Sequence, residues 1–132
     1  MDNPVENKLQ SYPEPVYRFM LVIRDLVQDI AVDIGTVEEC LKWGEVAFLV
    51  KGGSTVRLGW KPETPEVCYI YFHCQTVLIE TFRETYGSRF EYQGNRAIAL
   101  PVNEPIPRAE LANCLSMAFR YHKLKKLPLL GA

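Results

Sequence analysis

The chain has 132 residues, of which 48% are hydrophobic, which is enough for one hydrophobic core but too little for two independent domains. Its 15 Lys and Arg residues and 16 Asp and Glu residues give a formal net charge of -1. This balance argues against a dedicated nucleic-acid-binding protein, since such proteins neutralise phosphates with a basic surface. The N-terminal sequence has no basic leader before an apolar core, and no apolar stretch is long enough to span a bilayer, so we expect a cytoplasmic protein without a membrane partner.

The N-terminal part of the chain predicts a loose end followed by one long helix. Residues 1–12 are polar and mixed in charge, so we expect a flexible, frayed N-terminus. Pro13 and Pro15 suit the first turn of a helix, where a missing N–H costs nothing. Apolar residues then recur at helical spacing and predict a buried stripe, formed by Val16, Phe19, Met20, Ile23, Leu26, Val27 and Ile30.

A second helical signal follows this stripe. Asp33-Ile34-Gly35 predicts the end of the first helix, and Thr36 followed by Glu39 is typical of a capping box. In such a box the threonine accepts from a backbone amide while the glutamate reaches back to the cap. We therefore expect a short helix or turn that ends near Lys42.

From Val46 onward the hydrophobic pattern changes to a period of two, which predicts strands. Residues 46–50 and 54–61 flank Gly52-Gly53, and this arrangement is a strong hairpin signal. Residues 67–73 are rich in β-branched and aromatic side chains. The sequence therefore predicts an antiparallel hairpin and a third strand.

Two more helices and a second hairpin complete the predicted elements. Residues 77–86 have apolar side chains at helical spacing and are followed by Gly87, a common residue at a helix end. Residues 90–102 predict a second hairpin with Gly94-Asn95 at its turn. Pro107 is typical of a helix start and opens the last helix.

Together these elements predict an α+β fold in two layers, with N-terminal, middle and C-terminal helices packed on one antiparallel sheet of about five strands. We expect a flexible N-terminus at residues 1–12, a single domain at residues 13–123 and a C-terminal tail at residues 124–132. The tail contains Lys125-Lys126 followed by three leucines. It either packs on its own domain or acts as the arm of a dimer, and the sequence leaves the oligomeric state open.

One motif and the order of the elements carry a family resemblance. The motif is Glu39-Cys40-Leu41-Lys42-Trp43-Gly44 followed by Ala47-Phe48, in which an acidic residue and an aromatic-glycine step precede a small residue and Phe at the entry to the first strand. In these features the chain resembles the YdhG-like family of small bacterial proteins of unknown function, over about residues 12–123. The resemblance implies a two-layer fold likened to frataxin. One branch of that family is described as an iron chaperone for iron-sulfur assembly, which implies iron as a cofactor and an iron-sulfur assembly scaffold protein as a partner.

Five acidic residues are the candidate iron ligands. Asp25, Asp29 and Asp33 stand at i, i+4 and i+8, so on a continuous helix they would form one ridge, with Glu38 and Glu39 nearby in sequence. Carboxylate oxygens are the ligands that hard and borderline cations prefer. The alternative is a solvated helix face whose charges are balanced by arginine.

A second candidate site lies on the predicted sheet. Tyr69, Tyr71 and His73 alternate onto one face of the third strand, and Arg57 lies on the less apolar face of the neighbouring strand. Trp43 is a candidate for one wall of the same groove. An aromatic surface with a few polar groups is typical of small-molecule sites, here for an anionic or aromatic ligand. The alternative is that these rings support the covering helices.

The sequence contains no catalytic motif that we recognise. His73 and His122 are its two histidines, and neither a nucleophile elbow nor a metalloprotease helix motif is present. We therefore expect a non-enzymatic binding protein. Its two candidate functions are iron binding and delivery through the acidic ridge, and binding of a small molecule or another protein at the aromatic sheet face.

The iron hypothesis predicts a specific effect of charge neutralisation. Replacing Asp25, Asp29 and Asp33 together by Asn should weaken Fe(II) binding, because the three carboxylates would be the ligands. Anaerobic calorimetric titration followed by metal analysis after desalting measures this. Unchanged Fe(II) affinity in the triple variant would reject the ridge as the binding site.

Overall fold

The computed structural model describes residues 3–131 and contains five α-helices in that range. They are α1 (Pro4–Gln10), α2 (Glu14–Ala31), α3 (Leu78–Tyr86), α4 (Arg108–Phe119) and α5 (Tyr121–Leu124). Two short 3-10 helices follow α3 and α5, at Gly87–Arg89 and Pro128–Gly131. Within residues 3–131, none of the helices combines the length and the apolar character needed to cross a lipid bilayer.

Six strands in the described part of the chain form one antiparallel sheet. They are β1 (Val37–Lys42), β2 (Glu45–Val50), β3 (Val56–Trp60), β4 (Val67–Phe72), β5 (Glu91–Gln93) and β6 (Ala97–Pro101). Their order across the sheet is β1-β2-β3-β4-β6-β5. The α+β class with helices packed on one antiparallel sheet is confirmed, with six strands where about five were predicted.

The helices and one face of the sheet enclose the hydrophobic core. Side chains alternate along each strand, so every second residue of β2, β3, β4 and β6 points to the same side. We call this side the core face, and its buried residues are Val46, Phe48, Val50, Val56, Leu58, Cys68, Ile70, Phe72, Ile98 and Leu100. Helix α2 covers this face with the stripe that the sequence predicted, of which Ile30 is partly buried and the other six residues are buried, namely Val16, Phe19, Met20, Ile23, Leu26 and Val27.

The N-terminal segment differs from the frayed end expected for residues 1–12. Residues 4–10 form α1, and the Asn3 side chain caps this helix by accepting from the backbone N–H groups of Val5 and Glu6 at 3.1 and 3.2 Å. Val5 and Leu9 stand at i and i+4 and are buried in the core. Asn7 and Gln10 lie on the exposed side of α1, which is therefore a short amphipathic helix.

The prediction of a short helix or turn between Thr36 and Lys42 is wrong. Residues 37–42 are β1, which pairs antiparallel with β2 from Val37 opposite Val50 to Lys42 opposite Glu45. Trp43 and Gly44 form the two-residue turn between these strands, with positive φ angles of 56° and 76°. This is the turn geometry that joins tight hairpins, and long-range pairing with β2 outweighs the local capping signal.

Both predicted hairpins, the third strand and the middle helix are confirmed. The first predicted hairpin is β2 and β3, the third strand is β4, and the second hairpin is β5 and β6. Helix α3 ends at Gly87, and α4 begins directly after Pro107. Helix α3 lies in the connection between β4 and β5. The strand next to β4 in the sheet is β6 rather than β5.

The C-terminal helix is divided into two at Arg120. His122 lies on α5 and is exposed. The tail turns back towards α3, and Leu130 is only 2% exposed. Leu127 and Leu129 remain half exposed, and a dimer arm made from them stays a prediction.

The burial of α1 predicts a large effect of truncating Leu9. Leu9 is 0% exposed, so Leu9→Ala should lower the free energy of unfolding by about 2–5 kcal/mol through the lost packing and the cavity left behind. Asn7→Ala on the exposed side of α1 is the matched control and should change it little. Urea unfolding of both variants makes the comparison, and equal small effects would show that α1 is not anchored to the core.

Candidate functional site

The second face of the sheet, which we call the open face, carries a different set of side chains. Residues that are paired across neighbouring strands lie on the same face, so Ala47, Arg57, Tyr71, Ala97 and Gln93 form one row across β2, β3, β4, β6 and β5. Neither Tyr71 nor its strand neighbour Tyr69 belongs to the hydrophobic core cluster. Both rings therefore pack on the open face, where Tyr69 is only 6% exposed and Tyr71 is half-buried.

A cavity of about 390 Å³ lies on the open face. Its lining consists of Lys42, Trp43, Thr55, Arg57, Tyr71, Phe72, His73, Cys74 and Arg96. Four of the five residues proposed from the sequence as ligand-binding, namely Trp43, Arg57, Tyr71 and His73, are brought together here. Tyr69 is the fifth; its ring stacks against Tyr71 at 6.0 Å between centroids, outside the lining.

Trp43 has an unfavourable backbone conformation at the wall of the cavity. The residue occupies the first position of the β1–β2 turn with φ 56°, in the left-handed region that bulky side chains rarely adopt. Its side chain is 90% exposed, although it is one of the two largest apolar side chains in the sequence. A bulky residue that is both strained and exposed suggests a functional constraint rather than a contribution to stability.

Arg57 is fixed in the centre of the open face by two contacts. Its Nη1 donates to Glu45 Oε1 at 2.5 Å, and its guanidinium lies 5.2 Å from the centroid of the Tyr71 ring. Glu45 lies on β2, so the ion pair joins neighbouring strands. The planar guanidinium still has N–H groups available for a ligand, since it carries five donors.

Gly59 makes room for this arrangement. An added Cβ at Gly59 would lie 2.5 Å from Tyr71 Cε2 and 2.5 Å from Glu45 Oε2. Only a residue without a side chain lets the tyrosine ring and the carboxylate approach β3 so closely. The position of Tyr71 in the cavity wall therefore depends on a glycine one strand away.

Burial raises the pKa of two groups beside Arg57, the Tyr71 phenol and the Glu45 carboxyl, and so favours their neutral forms. It raises the pKa of Tyr71, and the nearby Glu45 charge raises it further, so the phenol stays protonated and remains a hydrogen-bond donor at neutral pH. Burial also raises the pKa of Glu45, while the positive charge of Arg57 opposes that shift. The open face is thus partly desolvated around the Arg57–Glu45 pair.

The acidic residues proposed as iron ligands are distributed over different surfaces. Asp25 and Asp29 are exposed on α2, whereas Asp33 lies beyond the end of that helix at Ala31. Glu38 and Glu39 are adjacent on β1 and therefore point to opposite faces of the sheet.

Glu39 already has partners on the helical layer. Arg24 donates to it through Nη2 at 3.0 Å, and Gln28 Nε2 lies 3.5 Å from the same carboxylate oxygen. Among residues 3–131, no three His, Cys, Asp or Glu side chains are placed to hold a metal ion together. The five acidic residues do not converge on one site in the described chain.

Five further residues line the cavity that were not among the ligand-binding residues proposed from the sequence: Lys42, Thr55, Phe72, Cys74 and Arg96. The period of two could have indicated Thr55, because it precedes Arg57 by two residues on the same face. Arg96 could not be found this way, since it reaches the cavity only through the pairing of β4 with β6.

Comparison with known protein families, with curated proteins and with solved structures finds no match to this chain. The resemblance to the YdhG-like family therefore stays a prediction. The function has to be argued from the geometry of the open face.

The strain at Trp43 predicts that its replacement stabilises the protein. Asn tolerates the left-handed region, and Asn-Gly is the preferred pair for this turn, so Trp43→Asn should raise the free energy of unfolding by about 1 kcal/mol. Chemical denaturation of wild type and variant at equal protein concentration measures the difference. A loss of stability would mean that the indole contributes packing which outweighs the strain.

Proposed function

We propose that this protein is a non-enzymatic binding protein that holds a small molecule in the cavity on its open face. The observation that carries the proposal is Trp43, a strained and almost fully exposed indole at the wall of a cavity that also contains Tyr71 and Arg57. An exposed indole gains by stacking on a flat ligand, because both surfaces then leave water.

The composition of the cavity supports a small ligand. A volume of about 390 Å³ falls in the range of roughly 300–1,000 Å³ that is usual for ligand pockets. Aromatic walls provide apolar contact, and Arg57, His73 and Thr55 provide polar groups that orient a ligand. This combination is the one that small-molecule sites use.

The strands around the cavity provide a rigid support. Arg57 and Tyr71 lie on β3 and β4, which are inner strands paired on both sides. Residues on such strands hold their positions more precisely than residues on loops. The Trp43 turn lies at the end of the outer hairpin, and residues 41–44 are exposed there, so the indole is accessible to a ligand.

Iron binding and delivery to an iron-sulfur assembly scaffold protein rests on the family resemblance alone. The separation of the five acidic residues and the contacts of Glu39 favour the open face over the acidic ridge. The Fe(II) titration described above tests the iron hypothesis independently. For either function we propose a cytoplasmic location.

A ligand screen with a matched pair of variants tests the proposed function. The probes are aromatic carboxylates, aromatic amides, nucleotides and inorganic phosphate, and binding is followed by thermal shift and tryptophan fluorescence. We expect at least one aromatic probe to raise the melting temperature and to change the emission of the exposed Trp43. Trp43→Asn should bind that probe roughly tenfold more weakly, because the stacking surface is lost.

Leu129→Asn is the control for this experiment. Leu129 also has a positive φ, of 48°, and is 49% exposed, but it does not line the cavity on the open face. Like Trp43→Asn, Leu129→Asn relieves a strained backbone and removes exposed apolar surface, but it does so outside the cavity. Equal binding of the probe by wild type and Trp43→Asn, or the absence of any binding across the panel, would reject the proposed function.

A further inference from the structure

We propose that the ligand of the open-face cavity is an anion, with a carboxylate or phosphate group attached to a flat apolar body. This inference rests on the proposed function and specifies the chemical class of its ligand. It is carried by the donors and charges that line the cavity.

The ionisable side chains of the lining are strongly biased towards positive charge. Lys42, Arg57 and Arg96 line the cavity, whereas no Asp or Glu among residues 3–131 does. Arg57 is paired with Glu45, but neither Lys42 nor Arg96 forms an ion pair with any carboxylate among residues 3–131. Within the described part of the chain two cations thus have no ion-pair partner, in a protein whose formal net charge is -1. This local excess is opposite in sign to the net charge of the protein and attracts an anion.

The positive groups also surround the cavity from both ends of the strands. Lys42 lies next to the β1–β2 turn, beside the end of β2 that begins at Glu45. Arg96 precedes β6 at the opposite end, where its carbonyl accepts from Phe72 N–H at 2.7 Å. An anionic group between them is within the reach of long side chains from two directions, which is the arrangement that positions an oxyanion.

A hydrogen bond to Nδ1 of His73 leaves Nε2 as the donor of the neutral ring. Its Nδ1 accepts from the backbone N–H of Gln75 at 3.1 Å. In the neutral ring the proton must therefore be on Nε2, so the free nitrogen of the ring donates. A ligand at this position has to offer an acceptor, which a carboxylate or phosphate oxygen does.

The same arrangement disfavours a metal cation in this cavity. Uncompensated Lys42 and Arg96 repel a cation, and the Nε2 of His73 carries a proton where a metal would need a lone pair. The cavity is therefore distinct in chemistry from the acidic ridge proposed for iron.

Matched probes separate the charge of the ligand from its shape. Benzoate and benzamide have nearly the same size and ring but differ in charge, and phenyl phosphate tests the phosphate source of the same chemistry. We expect benzoate or phenyl phosphate to bind wild-type protein roughly tenfold or more tightly than benzamide, because charged hydrogen bonds are stronger than neutral ones. Calorimetry at low and high salt measures the affinities, and the preference should weaken at high salt.

Two substitutions at His73 test its role as a donor. His73→Asn keeps an oxygen near the position of Nδ1 and so preserves the contact with Gln75, but it removes the distal donor. His73→Gln carries an amide nitrogen near the position of Nε2 and keeps that donor. We expect His73→Asn to weaken binding of the charged probe severalfold, His73→Gln to retain more of it, and His122→Gln, on the other histidine, to leave it unchanged.

Arg96→Gln should lower the affinity for the charged probe roughly tenfold and leave the affinity for benzamide unchanged. Arg108→Gln is its control, because Arg108 is an exposed arginine on α4 outside the cavity lining. If benzamide binds with the same affinity as benzoate, the assignment of an anionic ligand is wrong, while the proposed binding function stands. Failure of all three aromatic probes to bind would count against both, and wild-type affinity in Arg96→Gln and His73→Asn would place any anion outside this cavity.

Discussion

The two faces of the sheet have different environments, and the cavity depends on this difference. Strand alternation sends Cys68, Ile70 and Phe72 of β4 into the core, where they are nearly or fully buried, so Tyr69 and Tyr71 must lie on the other side. Slipping the strand by one residue would remove three apolar side chains from the core and turn two phenols into it, which makes the register of β4 costly to change. The apolar packing beneath the sheet thereby fixes the aromatic wall above it.

Stability and binding have different requirements at the β1–β2 turn. The hairpin would be most stable with a small residue in the left-handed region, yet the chain places its most exposed aromatic side chain there. The pairing of β1 along β2 and the contacts of α1 with both strands hold the turn in place despite the strain. Strain of this kind persists where the surrounding structure determines the conformation, and such positions cluster at binding sites.

Most of the fold could be predicted because burial on one side imposes a simple period. A period of two identifies β2, β3 and β4, and helical spacing identifies α2. β1 was missed because the Thr36 to Glu39 pattern favours a helix locally, whereas its strand pairing depends on distant residues. The site was partly predictable for the same reason: Arg57, Tyr71 and His73 follow from alternation, but Arg96 joins them only through the order of β4 and β6.

The sheet ends in two strands of unequal character. At one edge β5 has only three residues, and at the other β1 carries the charged side chains of Glu38, Glu39 and Lys42 and is flanked by α1. Short or charged edge strands give an incoming strand little to pair with. Addition of a strand from a second copy is therefore disfavoured at both edges, although the exposed indole of Trp43 lies directly after β1.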